Sequence, residues 1–218
     1  MILASSLHLI RPMGLAKVRD VMSAKRLIVA TPDEDVETAS ARMLASHVGC
    51  LPVVRQGRLV GILTSSDLVG GYVSRTFEPA NDNTAPSIAS VMTSGVFTVS
   101  PDDLLFEAVD AMAENRIRHV PVTDDTGRLV GIVSERDVRA ALGTDTMAVA
   151  RWDHPDVRNL KVGQIMTKDV ETVGPDQPLS DVIATMVNRK IGAVPVIDSQ
   201  RRPLGIISYL DVLRLIRK

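Results

Sequence analysis

The chain has 218 residues, 45% of them apolar, which is enough to bury one or two cores and too apolar for a disordered chain. Its 25 basic and 26 acidic residues leave a formal net charge of −1, and aromatic residues are only 3%. No overall attraction to nucleic acid or to an anionic membrane is therefore expected, and a platform for stacked bases is disfavoured.

Taken in chain order, the first segment is a mildly apolar arm over residues 1–17. It lacks a basic n-region, and His8 interrupts its apolar run early, so it reads as an arm that packs on the protein and not as a signal peptide. No apolar run approaches the roughly 20 residues that span a bilayer. Cys50 is the single cysteine, which excludes an intrachain disulfide and a cysteine-based metal site and fits a reducing, cytoplasmic setting.

A first unit follows over 18–80. A short strand is predicted at 27–30 ("LIVA"), then a helix start at Thr31-Pro32-Asp33-Glu34, with an N-cap residue, proline at the first helical position and an acid at the third. Two apolar strands around "LPVV" and "GILT" come next, and a last helix begins at "TSSD", ending in Asp67. Residues 70–87, rich in Gly, Pro and Asn, read as a linker.

The second unit, 88–145, repeats the layout. It has a strand at 96–99 ("VFTV"), a helix start at Ser100-Pro101-Asp102-Asp103, and an apolar stripe of Leu105, Ala108, Val109 and Met112. That spacing is one buried helix face. Two strands joined by Asp124-Asp125-Thr126-Gly127 predict a hairpin, and "SERD" opens the last helix. A second linker over 143–161 carries Trp152, the sole tryptophan, which would dock it against a domain. The third unit, 162–218, has its strand at 170–173 ("VETV"), a helix start at Gly174-Pro175-Asp176-Gln177, and a stripe of Leu179, Val182, Ile183 and Met186.

Four landmarks move together through the three units. They are Met22, Met92 and Met166; Pro52, Pro121 and Pro195; Gly61, Gly131 and Gly205; and Asp67, Asp137 and Asp211. The first-to-second offsets are 70, 69, 70 and 70, and every second-to-third offset is 74. Units this small rarely bury enough surface alone, so they should pack against one another.

These features resemble the CBS domain family: "RDVM", "ASVMT" and "GQIMT", the "TP", "SP" and "GP" helix starts, "LPVV" or "VPV", and "GILTSSD", "GIVSERD" and "GIISYLD". The resemblance covers most of residues 18–216. It implies an α/β fold of tandem CBS motifs, each strand-helix-strand-strand-helix, packed pairwise as Bateman modules. It also implies a non-enzymatic regulatory protein that binds AMP, ADP, ATP or S-adenosylmethionine in clefts between paired motifs, with no obligatory cofactor. In such clefts the Asp of the closing motif holds ribose, and the Ser or Thr lies near ribose or phosphate. Here these are Thr64 and Asp67, Ser134 and Asp137, and Ser208 and Asp211.

The same residues also satisfy a plain capping box, which needs no ligand. Capping tolerates other residue types, yet all three units use Ser or Thr and then Asp. A short carboxylate beside a helix N-terminus suits vicinal hydroxyls, and the helix end suits phosphate. Before the "PV" strand the second unit alone carries Arg118 and His119, where the others have Gly49 and Cys50, or Gly192 and Ala193. Arg and His can grip phosphate. Arg136, a cation in a first helical turn, fits a bound anion or a solvated surface equally. Arg189 and Lys190 could serve a second, weaker site.

The expected pair is the second and third units, with a site of Arg118, His119, Ser208 and Asp211. The alternative pairs the first with the second and uses Thr64 and Asp67. The unpartnered unit would be covered in a homodimer. His8, His47 and His154 lack ligand spacing, Met43, Met112 and Met186 read as core, and Lys25-Arg26 reads as a solvated face. No P-loop, dinucleotide fingerprint or catalytic triad stands out, so the output is expected through a protein effector, with no nucleic acid or membrane partner. A structural module with empty clefts is the competing reading.

Overall fold

The computed structural model describes residues 27–76, 86–142 and 158–216. The N-terminal arm, Met22, Lys25-Arg26, Trp152 and His154 lie outside them. Within each unit the elements repeat. The first has α1 (Val36–Ser46), β1 (Cys50–Arg55), β2 (Arg58–Thr64) and α2 (Ser65–Thr76). The second is led in by a short helix, α3 (Ile88–Val91), and β3 (Thr93–Ser94), then has α4 (Leu105–Asn115), β4 (His119–Thr123), β5 (Leu129–Ser134) and α5 (Glu135–Leu142). The third is led in by α6 (Val162–Ile165), then has α7 (Leu179–Arg189), β6 (Ala193–Ile197), β7 (Pro203–Ser208) and α8 (Tyr209–Ile216).

The first strand expected in each unit shrinks to one parallel bridge: Ala30 to Val53, Val99 to Val122 and Val173 to Val196. Each bridging residue both donates and accepts, as in Ala30 N–H to the Pro52 carbonyl at 2.9 Å and Val54 N–H to the Ala30 carbonyl at 2.8 Å. The next donor in a parallel ladder would sit two residues on. That residue is Pro32, Pro101 or Pro175, which has no N–H, so the ladder stops.

The same prolines do not open the helices. Helix α1 starts at Val36 behind an Asp35 N-cap, and α4 and α7 start at Leu105 and Leu179. The expected helix starts are instead turns. Glu34 N–H donates to the Thr31 carbonyl, Asp103 N–H to Ser100 and Gln177 N–H to Gly174. In all three units the fourth side chain also reaches back, Glu34 Oε2 accepting from Thr31 N–H at 3.4 Å, Asp103 Oδ2 from Ser100 N–H at 2.7 Å and Gln177 Oε1 from Gly174 N–H at 2.8 Å. An acid or amide at the fourth position closes either structure, so the pattern alone does not distinguish turn from helix.

The stripes are buried as read, Leu105, Ala108 and Met112 in α4 and Leu179, Val182, Ile183 and Met186 in α7, except that Val109 is half-buried. Helix α2 runs through Gly70 and Gly71, where a linker was expected. A Cβ on Gly70 would lie 3.8 Å from Val187 Cγ1, so the missing side chain lets α2 and α7 approach closely.

The third unit touches both others in different ways. Its helices pack on those of the first, in one core that joins Ala39, Met43, Leu68 and Val69 to Ile183, Met186, Val212 and Leu213. Ser40 Oγ donates across this seam to the Leu213 carbonyl at 3.1 Å. With the second unit it trades backbone. Strand β3, which leads into the second unit, pairs antiparallel with β7 of the third (Thr93 to Ile206, Ser94 to Gly205). Thr167, which leads into the third, pairs with Ile132 of β5. A Cβ on Gly131 would lie 2.5 Å from Met166 Sδ, and one on Gly205 2.6 Å from Met92 Sδ. Only glycine lets these lead-in segments cross so closely.

Candidate functional site

The reciprocal exchange leaves a cleft between the second and third units. Its volume is about 490 Å³, within the range of small-ligand sites. The second unit brings Arg118, His119, Ser134, Arg136 and Asp137 to it, and the third brings Lys190, Gly192, Ala193 and Tyr209. Ile132, Val170 and Ile191 add apolar wall.

Arg118 and His119 are positioned by the start of β4. Helix α4 ends at Arg116, whose left-handed φ of 54° turns the chain into the strand. His119 lies against backbone of the third unit, since a Cβ on Gly192 would be 3.1 Å from its Cε1. Burial pushes the His119 imidazole below its usual range. Asp137 and Glu135 pull upward, and Arg118 adds to the lowering. The ring is therefore neutral near pH 7, one nitrogen donating and one accepting. Arg118 reaches the other way as well, Nη2 donating to the His47 carbonyl of the first unit at 3.0 Å.

All three Ser/Thr-Asp pairs form the same cap. In each, one carboxylate oxygen accepts from the Ser or Thr backbone N–H at 2.8 Å and from its hydroxyl at 2.6 Å. What differs is the second oxygen. Asp211 Oδ1 accepts from Thr93 Oγ1 at 3.0 Å and from Arg214 Nη1 at 2.7 Å, and the residue is 3% exposed. Asp137 Oδ1 has no such partner among the described residues, and it lines the cleft. Asp67 Oδ1 likewise has no partner among the described residues, on an exposed helix start of the first unit.

The structure thus brings Arg118 and His119 together with Ser134 and Asp137, and it does not bring Ser208 and Asp211 to that cleft. Thr64 and Asp67 belong to a separate corner on the first unit. Arg136 is exposed at the cleft without a carboxylate partner among the described residues, whereas Arg139 pairs with Glu135 and Arg189 with Glu171. Lys190 faces the same cleft as Arg118 rather than a site of its own. Sequence reasoning passed over Tyr209 and Thr167. Tyr209 Oη donates to the Met186 carbonyl at 3.1 Å, which holds its ring at the wall. Thr167 occupies the place in "IMT" that Thr93 occupies in "VMT", so the repeat itself was the signal.

The CBS domain profile matches residues 18–74, 88–144 and 162–218. The chain belongs to the CBS domain family. Protein MJ1225 of Methanocaldococcus jannaschii is 30% identical over 201 residues, which are 90% of this chain and 69% of that one. The crystal structure of MJ1225, described there as a proposed archaeal homolog of g-AMPK, matches with a TM-score of 0.74 at 29% identity, over 91% of this chain and 69% of its own. The CBS domain pair of protein MJ0100, in complex with 5′-methylthioadenosine and S-adenosyl-L-methionine, matches 60% of this chain and 95% of its own at 27% identity and TM-score 0.52. CBSX2 in complex with AMP matches 59% and 94% at 25% identity and TM-score 0.50. Homoserine O-acetyltransferase of Methanococcoides burtonii is 35% identical over 133 residues, but this CBS protein spans only 25% of that enzyme's length. The three units are hence CBS motifs 1, 2 and 3. Among the described residues no cluster of three or more His, Cys, Asp or Glu could hold a metal, and no helix is long and apolar enough to cross a membrane.

Proposed function

We propose that this protein is a regulatory sensor of adenosine-containing ligands, of the AMP, ADP and ATP class, bound in the cleft between CBS motifs 2 and 3. The observation that carries the reading is the free Oδ1 of Asp137 in a cleft that also holds three cations without a carboxylate partner among the described residues: Arg118, Arg136 and Lys190. A carboxylate oxygen poised beside a helix start accepts from two vicinal ribose hydroxyls. Phosphate then falls to Arg118, Arg136 or Lys190, with the neutral His119 adding one donor. The apolar wall of Ile132, Val170, Ile191 and Ala193, with the Tyr209 ring, receives the base. The bound complexes of MJ0100 and CBSX2 support this ligand class.

A sensor needs two states with different affinities. Arg118 supplies a handle. Its guanidinium donates to the His47 carbonyl of motif 1, and a phosphate in the cleft competes for the same donors. Ligand would then loosen motif 1 from motif 2, and the effector that reads this change is a partner protein.

The test is calorimetric titration of the purified protein with AMP, ADP, ATP and S-adenosylmethionine, beside Asp137→Ala and Asp211→Ala variants. Saturable binding lost with Asp137→Ala and kept with Asp211→Ala is expected. Binding lost only with Asp211→Ala would move ribose to motif 3. No binding in any arm would favour a structural module with empty clefts.

A further inference from the structure

The exchange between motifs 2 and 3 is reciprocal, so their pair has two like corners. At one, the lead-in Thr167 pairs with Ile132 and lines the cleft together with Asp137. At the other, the lead-in Thr93 pairs with Ile206 and donates to Asp211. Both residues of the bridge shift by the same 74 positions, from 93 to 167 and from 132 to 206. The corners differ in what their acids have left to offer. A carboxylate has about four lone-pair positions. At Asp137 the described residues fill two of them, both on Oδ2, from the Ser134 N–H and hydroxyl. At Asp211 they fill four. Oδ2 takes the Ser208 N–H and hydroxyl, and Oδ1 takes the Thr93 hydroxyl and Arg214 Nη1. Asp211 is buried, whereas the Arg214 side chain that contacts it is 63% exposed, so the guanidinium stands between the acid and solvent.

We infer that Arg214, with the Thr93 hydroxyl, is a built-in occupant of the second corner. A vicinal diol needs two acceptors. Asp137 keeps two, and Asp211 has committed its own to groups of the chain. The pair of motifs 2 and 3 therefore takes one nucleotide and not two, and Arg214 decides which of the two corners is a ligand site. Helix capping explains only Oδ2 of Asp211. Its Oδ1 is closed separately, by Thr93 from the other motif and by Arg214 from the next turn. The surroundings act in the same direction. Gly192, Ala193 and Leu210 stand 74 positions beyond Arg118, His119 and Arg136, and of the cations at the open cleft that lack a carboxylate partner among the described residues only Lys190 has a cationic counterpart, Arg116. A nucleotide at the second corner finds no diol acceptor and few donors for its phosphate. The inference rests on the nucleotide reading of the Asp137 corner.

Equilibrium dialysis of the full chain against AMP and against adenosine counts the bound ligand. Adenosine probes the second corner, because it needs the diol acceptors and not the cations. Asp67→Ala, on an exposed helix start, is carried in every arm so that the motif 1 corner does not enter the count. This parent should bind one AMP per chain and lose it on Asp137→Ala. Adding Arg214→Ala and Thr93→Val frees two acceptors on Asp211, the number that Asp137 keeps, and should bring a gain of one bound adenosine per chain. Adding Asp211→Asn to that variant keeps an oxygen for the cap, turns the other into a donor, and should abolish the gain. AMP affinity at the first corner should stay within about twofold in the opened variant, which also shows that it is folded. Two AMP on the parent, or no gain of adenosine in the opened variant, would overturn the inference and leave the nucleotide reading standing. A parent that binds neither ligand would overturn the nucleotide reading and the inference with it.

Discussion

The corners around Asp137 and Asp211 share a sequence pattern and a cap, yet they do different jobs. At both, one carboxylate oxygen ties off the first turn of a helix. At Asp211 the other oxygen is consumed by Thr93 and Arg214, and the group is buried. At Asp137 it is left at the cleft. Two differences produce this. Position 214 is Arg where the equivalent position 140 is Ala. Thr93 turns its hydroxyl onto Asp211, while the equivalent Thr167 lines the cleft without reaching Asp137. A carboxylate with all its acceptors engaged holds structure together, and one with a spare acceptor can hold a ligand.

Breaking the two corners should therefore give opposite results. Asp211→Ala removes a buried acceptor from the exposed Thr93 hydroxyl and from the half-buried Ser208 cap, and we expect a loss of about 1–3 kcal/mol of stability. The Arg214 end of that pair is well exposed and contributes little of this. Denaturant unfolding measures it, and ligand affinity should change little among molecules still folded. Asp137→Ala should lower affinity about 100-fold, close to 2.7 kcal/mol, and cost stability only the roughly 1 kcal/mol of a lost cap.

The glycines extend the comparison to the strands. Gly131→Ala and Gly205→Ala drive a methyl into methionine sulfur and backbone carbonyl, and each should destabilise by about 1–3 kcal/mol. Gly61→Ala in the single chain should be nearly neutral. Arg118→Ala should weaken AMP about tenfold while leaving adenosine within about twofold, since only the phosphate loses a partner; the ratio of the two constants isolates the effect.

The smallest effect concerns pH. His119 titrates below its ordinary range in the folded protein, so between the two values the unfolded chain binds the extra proton. Its contribution to stability is thus complete above the unfolded value of about 6.5 and is lost as pH falls below it. His119→Gln should flatten that part of the stability profile. A phosphate beside the imidazole favours the protonated ring, opposing the burial. Binding should then take up protons at the imidazole, so AMP affinity should rise more, or fall less, with falling pH in the wild type than in His119→Gln, and this difference between the two proteins should be absent with adenosine.

Much of the fold was legible. The repeat offsets, the helix stripes and the hairpins depend on local periodicity and turn chemistry, and those do not need the rest of the molecule. The errors were at junctions. The Thr-Pro, Ser-Pro and Gly-Pro segments carry signals for a helix start, but proline two residues after the bridge also ends the ladder, and a turn intervenes before each helix. The Gly70-Gly71 pair reads as a linker until Val187 of another unit is seen against it. At the site, Arg118, His119, Ser134 and Asp137 were each visible as residue types, but their grouping was not. Pairing Arg118 with Asp211 assumed that the cleft draws its acid from the opposite motif, and no local pattern carries that information.

The sequence by itself determined three copies of one unit, the buried face of each helix, and a Ser/Thr-Asp cap at each closing helix, because these follow from spacing within a few turns of chain. Tertiary structure decided which carboxylate keeps a free oxygen and which unit lies between the other two. Those outcomes depend on side chains far apart in sequence, such as Thr93 against Asp211, which are 118 residues apart, and Met166 against Gly131. Identical motifs acquire different roles there, since burial and hydrogen-bond saturation are properties of the packed neighbourhood and not of the motif.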